Sequence, residues 1–122
     1  GFKFVYVSGR ALDYPHAVSE GLLMLKELGN VVRHIRARSG MKVIVDDGVG
    51  FGDAVHMSRT AQVLEDAGAS AIKIEDQVAP KRVNHHRAIE LLIPYDEIVD
   101  KITINVPGPE SSTFCIALGY CW

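Results

Sequence analysis

The sequence predicts an α/β fold: an incomplete (β/α)8 barrel with about three parallel strands and flanking helices. Three observations carry this reading. Short apolar runs alternate with longer amphipathic stretches in the order strand, helix, strand, helix, strand, helix, a pattern that requires right-handed crossovers between parallel strands. The runs are nearly all apolar, as strands covered on both faces are. Polar residues and glycines gather directly after each run, at Ser8-Gly9, Asp46-Asp47-Gly48 and Glu75-Asp76, and that edge is where α/β folds carry their chemistry. A closed eight-stranded barrel takes roughly 250 residues, so a chain of 122 accounts for part of one.

Phe4-Val5-Tyr6-Val7 reads as the first strand, ending at Ser8-Gly9. From Gly21 to Arg38 the apolar residues Leu22, Leu25, Leu28, Val32 and Ile35 recur at steps of three and four, the period of a helix with one buried stripe. Arg33, Arg36 and Arg38 gather toward its end, where cations suit the helix dipole, and Gly29-Asn30 is a point where it can break in two. Lys42 to Asp46 forms the second strand, followed by a turn punctuated by Gly48, Gly50 and Gly52. Asp53 is an N-cap for a helix to about Ala67, with Ala54, Met57, Ala61 and Leu64 as its stripe and Gly68 just beyond its end. Ala71 to Glu75 is the third strand. After a polar loop, Pro94 opens a last helix at its first position, running through Ile98 and Ile102. Past Lys101 no helix–strand rhythm continues, so residues 1–102 read as the barrel portion and 103–122 as a divergent tail.

Composition narrows the function classes. With 48% hydrophobic and 23% charged residues the chain is globular rather than disordered. A net charge of −2 argues against a dedicated nucleic-acid binder, which shows a basic stripe. No run of about 18 apolar residues is present, so no membrane partner is expected. Cys115 and Cys121 lie close together rather than spread as a disulfide framework, which makes a cytoplasmic setting the default; two cysteines alone do not close a zinc site.

Period two along a strand decides which side chains share a face. Tyr6 and Ser8 fall together, as do Lys73 and Glu75; Asp46 shares its face with Ile44, and Asp47 points the other way. In neighbouring strands Ser8, Asp46 and Glu75 converge at one mouth, and two carboxylates with a hydroxyl suit a hard cation such as Mg²⁺ with water in its remaining positions. Acidic residues at strand ends also serve as plain helix caps or solvated groups. The run Gly48-Val49-Gly50-Phe51-Gly52-Asp53 matches neither the dinucleotide fingerprint nor the P-loop and reads as a tight strand-to-helix turn. Lys81, Arg82, Asn84, His85, His86 and Arg87 make a basic loop, either simply solvated or a flap whose cations grip an anionic substrate.

The segments Phe4-Val5-Tyr6-Val7-Ser8-Gly9, Val43-Ile44-Val45-Asp46 leading to Gly50-Phe51-Gly52-Asp53, Ala71-Ile72-Lys73-Ile74-Glu75-Asp76-Gln77 and Pro80-Lys81-Arg82 resemble the isocitrate lyase/phosphoenolpyruvate mutase superfamily. The likeness is nearest to its methylisocitrate lyase-like and carboxyvinyl-carboxyphosphonate phosphorylmutase-like branch and covers about Gly1 to Ile102. The resemblance implies an α/β barrel, usually a homo-oligomer, that makes or breaks C–C or P–C bonds in small 2-oxo or 2-hydroxy carboxylic acids through an enolate-like intermediate, with Mg²⁺ as cofactor. It implies that Tyr6, Ser8 and Gly9 bind the substrate, that Asp46 and Glu75 belong to the metal site, and that Lys81, Arg82 and His85 work on a mobile catalytic loop. The chain departs from the pattern at several places: Arg10 stands where a small residue is usual, Ser19-Glu20 where the family has an upstream Pro-Asp of the metal site, with Glu20 a shifted substitute, and two more bear on the chemistry. Gly48 stands where the family has a second metal-motif aspartate, and Asp47, one position early, replaces it only if the strand bulges. Val83 stands where the lyases carry a cysteine, and valine is no general acid. A catalytically silent member with a binding or assembly role is therefore the alternative to an active lyase or mutase.

Overall fold

The computed structural model describes residues 1–18, 20–80, 91–104 and 115–119. Its order is β1 (Phe4–Val7), α1 (Gly9–His16), a 3-10 turn (Glu20–Leu22), α2 (Leu25–Arg38), β2 (Lys42–Asp46), α3 (Ala54–Asp66), β3 (Ala71–Glu75), α4 (Tyr95–Thr103) and β4 (Cys115–Gly119). The strands form one parallel sheet in the order β1-β2-β3-β4, so each crossover returns the chain one strand further on and brings all four C-terminal ends to the same rim.

Burial alternates along the strands. Val43, Val45, Ile72 and Ile74 are fully buried and join Leu28, Val32, Met57, Leu64 and Ile98 of α2, α3 and α4 in one core. The opposite sheet face carries Phe4 and Tyr6, both exposed, with Ile44, Ala71 and Lys73 half-buried. Coverage on both faces, expected from the apolar runs, is thus met on the helix side only among the described residues.

Three of the helices start or end much as their residues dictate. Asp53 caps α3, its Oδ1 accepting the His56 N–H at 3.1 Å, and Gly68 follows with φ of 99°. Pro94 is the N-cap of α4, one place earlier than expected. Helix α2 begins at Leu25, where Glu27 reaches back to the Met24 N–H at 2.8 Å. It runs unbroken through Gly29, which is buried against α3: a Cβ there would sit 3.7 Å from Val63 Cγ1. Leu22, expected in the buried stripe, lies in the 3-10 turn and is exposed.

Two elements depart from expectation. Helix α1 follows β1 at once, and its single buried residue, Leu12, leaves no periodic stripe to read. Strand β4 continues the sheet inside residues 103–122, pairing Ala71 through Glu75 with Cys115 through Gly119, so the helix–strand rhythm does persist past Lys101.

Candidate active site

The sheet register brings the polar strand ends together. Tyr6 lies beside Ile44 and Val7 beside Val45, so Ser8 emerges next to Asp46, which itself pairs with Lys73. Asp46 is the hub. Its Oδ2 accepts the Tyr6 hydroxyl at 2.7 Å and the Lys73 ammonium at 3.3 Å, and its Oδ1 accepts the Gly48 N–H at 3.3 Å. Lys73 also donates to Glu75 Oε1 at 3.0 Å, so one ammonium bridges the carboxylates of two strands. Burial, the hydrogen bond to Asp46 and that residue's charge push the Tyr6 hydroxyl up to about 12. Burial works against the charge on Lys73, but Glu75 and Asp46 outweigh it and hold its pKa above the ordinary lysine value.

Past Asp46 the sheet turns irregular. Asp47 N–H still donates to the Lys73 carbonyl at 2.9 Å. A regular parallel ladder would next carry the Glu75 N–H to the Asp47 carbonyl. It goes instead to Gly48, at 2.7 Å, while the Asp47 carbonyl accepts the Gly50 N–H at 3.2 Å. One extra residue is inserted at the rim, as in a β-bulge, with Gly48 at φ 57° and Gly50 at φ 83°. Asp46 and Asp47 are both among the residues lining a cavity of about 400 Å³, together with Gly9 and Gly48. The Asp47 side chain keeps the buried face of Val43 and Val45, as alternation sets it, and a Cβ at Gly50 would lie 3.9 Å from Asp47 Oδ2 beside the Sδ of buried Met57. Leu23, Leu28 and Phe51 give the cavity an apolar wall, and Ala79 and Pro80 reach it from the far side of β3.

Asp47 is 4% exposed, and among the described residues neither of its carboxyl oxygens has a hydrogen-bond partner. Burial, with the charge of Asp46 adding to it, pushes its pKa well above the ordinary carboxylate range. An orphaned carboxyl at such a depth is costly unless a cation meets it. Among the described residues no group of three or more His, Cys, Asp or Glu side chains is arranged to hold a metal. Mg²⁺, however, commonly takes only one or two protein carboxylates and fills its octahedron with water and substrate. Asp46 and Asp47 make a donor set of that size, the buried Asp47 carboxyl having to turn toward the cavity to join it.

The turn carrying Asp47 is held from behind by two buried side chains. Thr60 Oγ1 of α3 donates to the Gly50 carbonyl at 3.3 Å, and Lys101 Nζ of α4 donates to the Val49 carbonyl at 3.4 Å, with Glu97 Oε1 4.0 Å away. Burial lowers the Lys101 pKa against the pull of Glu97 and Asp53. Neither residue stands out in the sequence as functional: Thr60 sits in a polar stretch of helix, and Lys101 reads as a last-turn cation.

Of the expected site residues, Tyr6, Asp46 and Glu75 are linked through hydrogen bonds and Lys73, while Gly9, Asp46 and Asp47 share the cavity. Ser8 is the N-cap of α1, and its side chain makes no capping hydrogen bond. Lys81, Arg82 and His85, like Val83, lie outside the described residues. The strand before that segment and the chain after it are pinned together, with Val78 N–H on the Leu91 carbonyl and Ile93 N–H on the Asp76 carbonyl, both at 2.8 Å.

A parallel α/β sheet with acidic and hydroxyl side chains on its C-terminal rim is the layout of barrel-type α/β folds. Comparison with known proteins narrows it. The family model described as phosphoenolpyruvate phosphomutase matches residues 1–117. A 2-methylisocitrate lyase of Aeropyrum pernix is 42% identical over 107 residues, covering 87% of this chain and 34% of that protein. A 2,3-dimethylmalate lyase of Eubacterium barkeri is 35% identical over 118 residues, covering 95% of this chain and 40% of the relative. A phosphonopyruvate hydrolase solved with oxalate and Mg²⁺ superposes with a TM-score of 0.85 at 27% identity, covering 98% of this chain and 41% of its own. The chain belongs to the isocitrate lyase/phosphoenolpyruvate mutase superfamily and spans about two fifths or less of the length of these relatives.

Proposed function

We propose that this chain is the metal-binding portion of a Mg²⁺-dependent lyase or mutase acting on C–C or P–C bonds of small 2-oxo or 2-hydroxy carboxylic acids. The observation that carries the reading is the pair Asp46 and Asp47 lining one cavity, with the Asp47 carboxyl buried and, among the described residues, without a hydrogen-bond partner. Asp46 and Asp47 would hold the cation, with Glu75 behind them on Lys73. When bound, the cation supplies positive charge where an enolate-like oxygen becomes negative. Ser8 and Gly9 open α1 beside the cavity, and the amide end of a helix favours an anionic group, which suits a substrate carboxylate. Tyr6 fixes Asp46 from the side, and the apolar wall of Leu23, Leu28 and Phe51 excludes water from the reacting centre. Lys81, Arg82 and His85 are assigned to the catalytic loop by the resemblance of Pro80-Lys81-Arg82 to the family pattern. A cytoplasmic setting and self-association complete the reading.

One observation favours the silent alternative: Gly48 offers no side chain where the family pattern has an aspartate, and Lys73 already neutralises Asp46. Titration with oxalate, a planar mimic of the enolate, separates the outcomes for binding. The proposal predicts oxalate binding that requires Mg²⁺ and disappears in Asp46→Asn; binding indifferent to Mg²⁺ contradicts it. Mg²⁺-dependent formation of a 2-oxo acid from a 2-hydroxy acid or a phosphonate by the same protein then distinguishes an active enzyme from a silent member.

A further inference from the structure

The geometry points to Lys73 as the resident counter-ion of the acidic rim, against which a divalent cation at Asp46 must compete. This rests on the reading of Asp46 as a metal carboxylate. Lys73 Nζ lies 3.3 Å from Asp46 Oδ2 and 3.0 Å from Glu75 Oε1, so it fills the electrostatic place between the two strands that a cation would otherwise take. The position is built rather than incidental. Lys73 stands directly opposite Asp46 in the β2–β3 register and opposite Ala117 in the β3–β4 register. Its stem then runs over Gly119, where a Cβ would overlap Lys73 Cε. Strand β4 thus leaves a channel at residue 119 through which the lysine reaches the rim. The side chain is only 27% exposed, so water screens it less than a surface lysine.

Two consequences follow from charge alone. Without metal, Lys73 relieves the repulsion between Asp46 and Glu75. With metal, an ammonium group held within a few ångströms of a dication opposes it, since like charges at that separation repel strongly in a partly buried site. Divalent-cation binding is therefore coupled to movement of Lys73 off Asp46, and the rim trades an internal cation for an external one.

The test measures Mn²⁺ binding by electron paramagnetic resonance, together with thermal unfolding with and without Mn²⁺. Lys73→Met is expected to lower the metal-free melting temperature and to tighten Mn²⁺ binding on the order of tenfold, giving a larger metal-induced rise in melting temperature. Loss of a merely structural lysine would lower stability without strengthening a metal site. Gly119→Ala keeps the charge but pushes the stem aside, and is expected to tighten binding in the same direction by a smaller factor; it serves if the methionine variant fails to fold. Mn²⁺ binding that Asp46→Asn weakens but that Lys73→Met and Gly119→Ala leave unchanged or weaken overturns the counter-ion role while the metal reading stands. Absence of Mn²⁺ binding in the wild type and in every variant overturns the metal reading and the counter-ion role together.

Discussion

Replacing Asp47 with asparagine separates a metal carboxylate from an ordinary buried acid. The residue is 4% exposed and among the described residues neither carboxyl oxygen has a partner, so in the metal-free protein it adds no hydrogen bond there and costs folding free energy whenever it is ionised. The isosteric amide carries no charge. It leaves polar atoms unsatisfied at a cost of about 1–3 kcal/mol, no more than the several kcal/mol for an unpaired buried ion. The metal-free variant is therefore expected to melt no lower than the wild type. Metal binding should move the opposite way. Removing one partner of a buried opposite-charge pair costs about 3–5 kcal/mol, and at about 1.4 kcal/mol per decade that amounts to a loss of at least a hundredfold in Mg²⁺ or Mn²⁺ affinity. Calorimetric titration with metal and melting by circular dichroism read the two effects separately. A variant that binds metal like the wild type, or that melts several degrees lower without metal, refutes the argument that Asp47 is held for a cation.

The remaining predictions concern the turn and the helix behind it. Gly50→Ala should destabilise by about 2–4 kcal/mol in urea unfolding, because the residue needs φ of 83° and a Cβ would lie 2.7 Å from the Sδ of fully buried Met57. Thr60→Val should speed amide exchange at Val49 and Gly50 and cost about 1–2 kcal/mol, with Thr60→Ser restoring both; unchanged exchange would mean that the hydroxyl does not hold the turn. Asp53→Asn tests a pH effect. Its hydrogen bonds from the His56 backbone and side chain hold the Asp53 carboxyl below its ordinary value of 3.8, so the stability that its charge adds is present above pH 3.8 and lost as pH falls through the lowered folded value. The melting-temperature gap between wild type and variant should therefore be full at neutral pH and close in strong acid.

Much of this arrangement was legible in the residues, and the parts that were not have physical reasons. Strands β1 to β3 are short apolar runs bounded by glycine or charge, and period two grouped Tyr6 with Ser8 and Lys73 with Glu75; hydrogen bonds link Tyr6, Asp46, Lys73 and Glu75, while Ser8, expected to converge with Asp46 and Glu75, is the N-cap of α1. That same period set Asp47 opposite Asp46, and its burial alongside Val43 and Val45 agrees, whereas the irregular turn that follows is revealed only by backbone hydrogen bonds. Helix α1 escaped notice because eight residues with one buried side chain and an internal Pro15 carry no stripe. Strand β4 was hidden because Cys-Ile-Ala-Leu-Gly is short and weakly patterned, and its identity comes from pairing with β3. Lys73 looked like a plain strand residue; its bridging role depends on the glycine at position 119, which lies 46 residues away along the chain and next to it only in the sheet.

The account stands or falls on a single cation between Asp46 and Asp47. Anomalous diffraction from crystals soaked in Mn²⁺ measures this directly. The rim predicts one peak with a carboxylate oxygen of each residue at direct-coordination distance and the Lys73 ammonium withdrawn from Asp46. A peak bound elsewhere, or none at all with Asp47 still buried and without a partner, would contradict it.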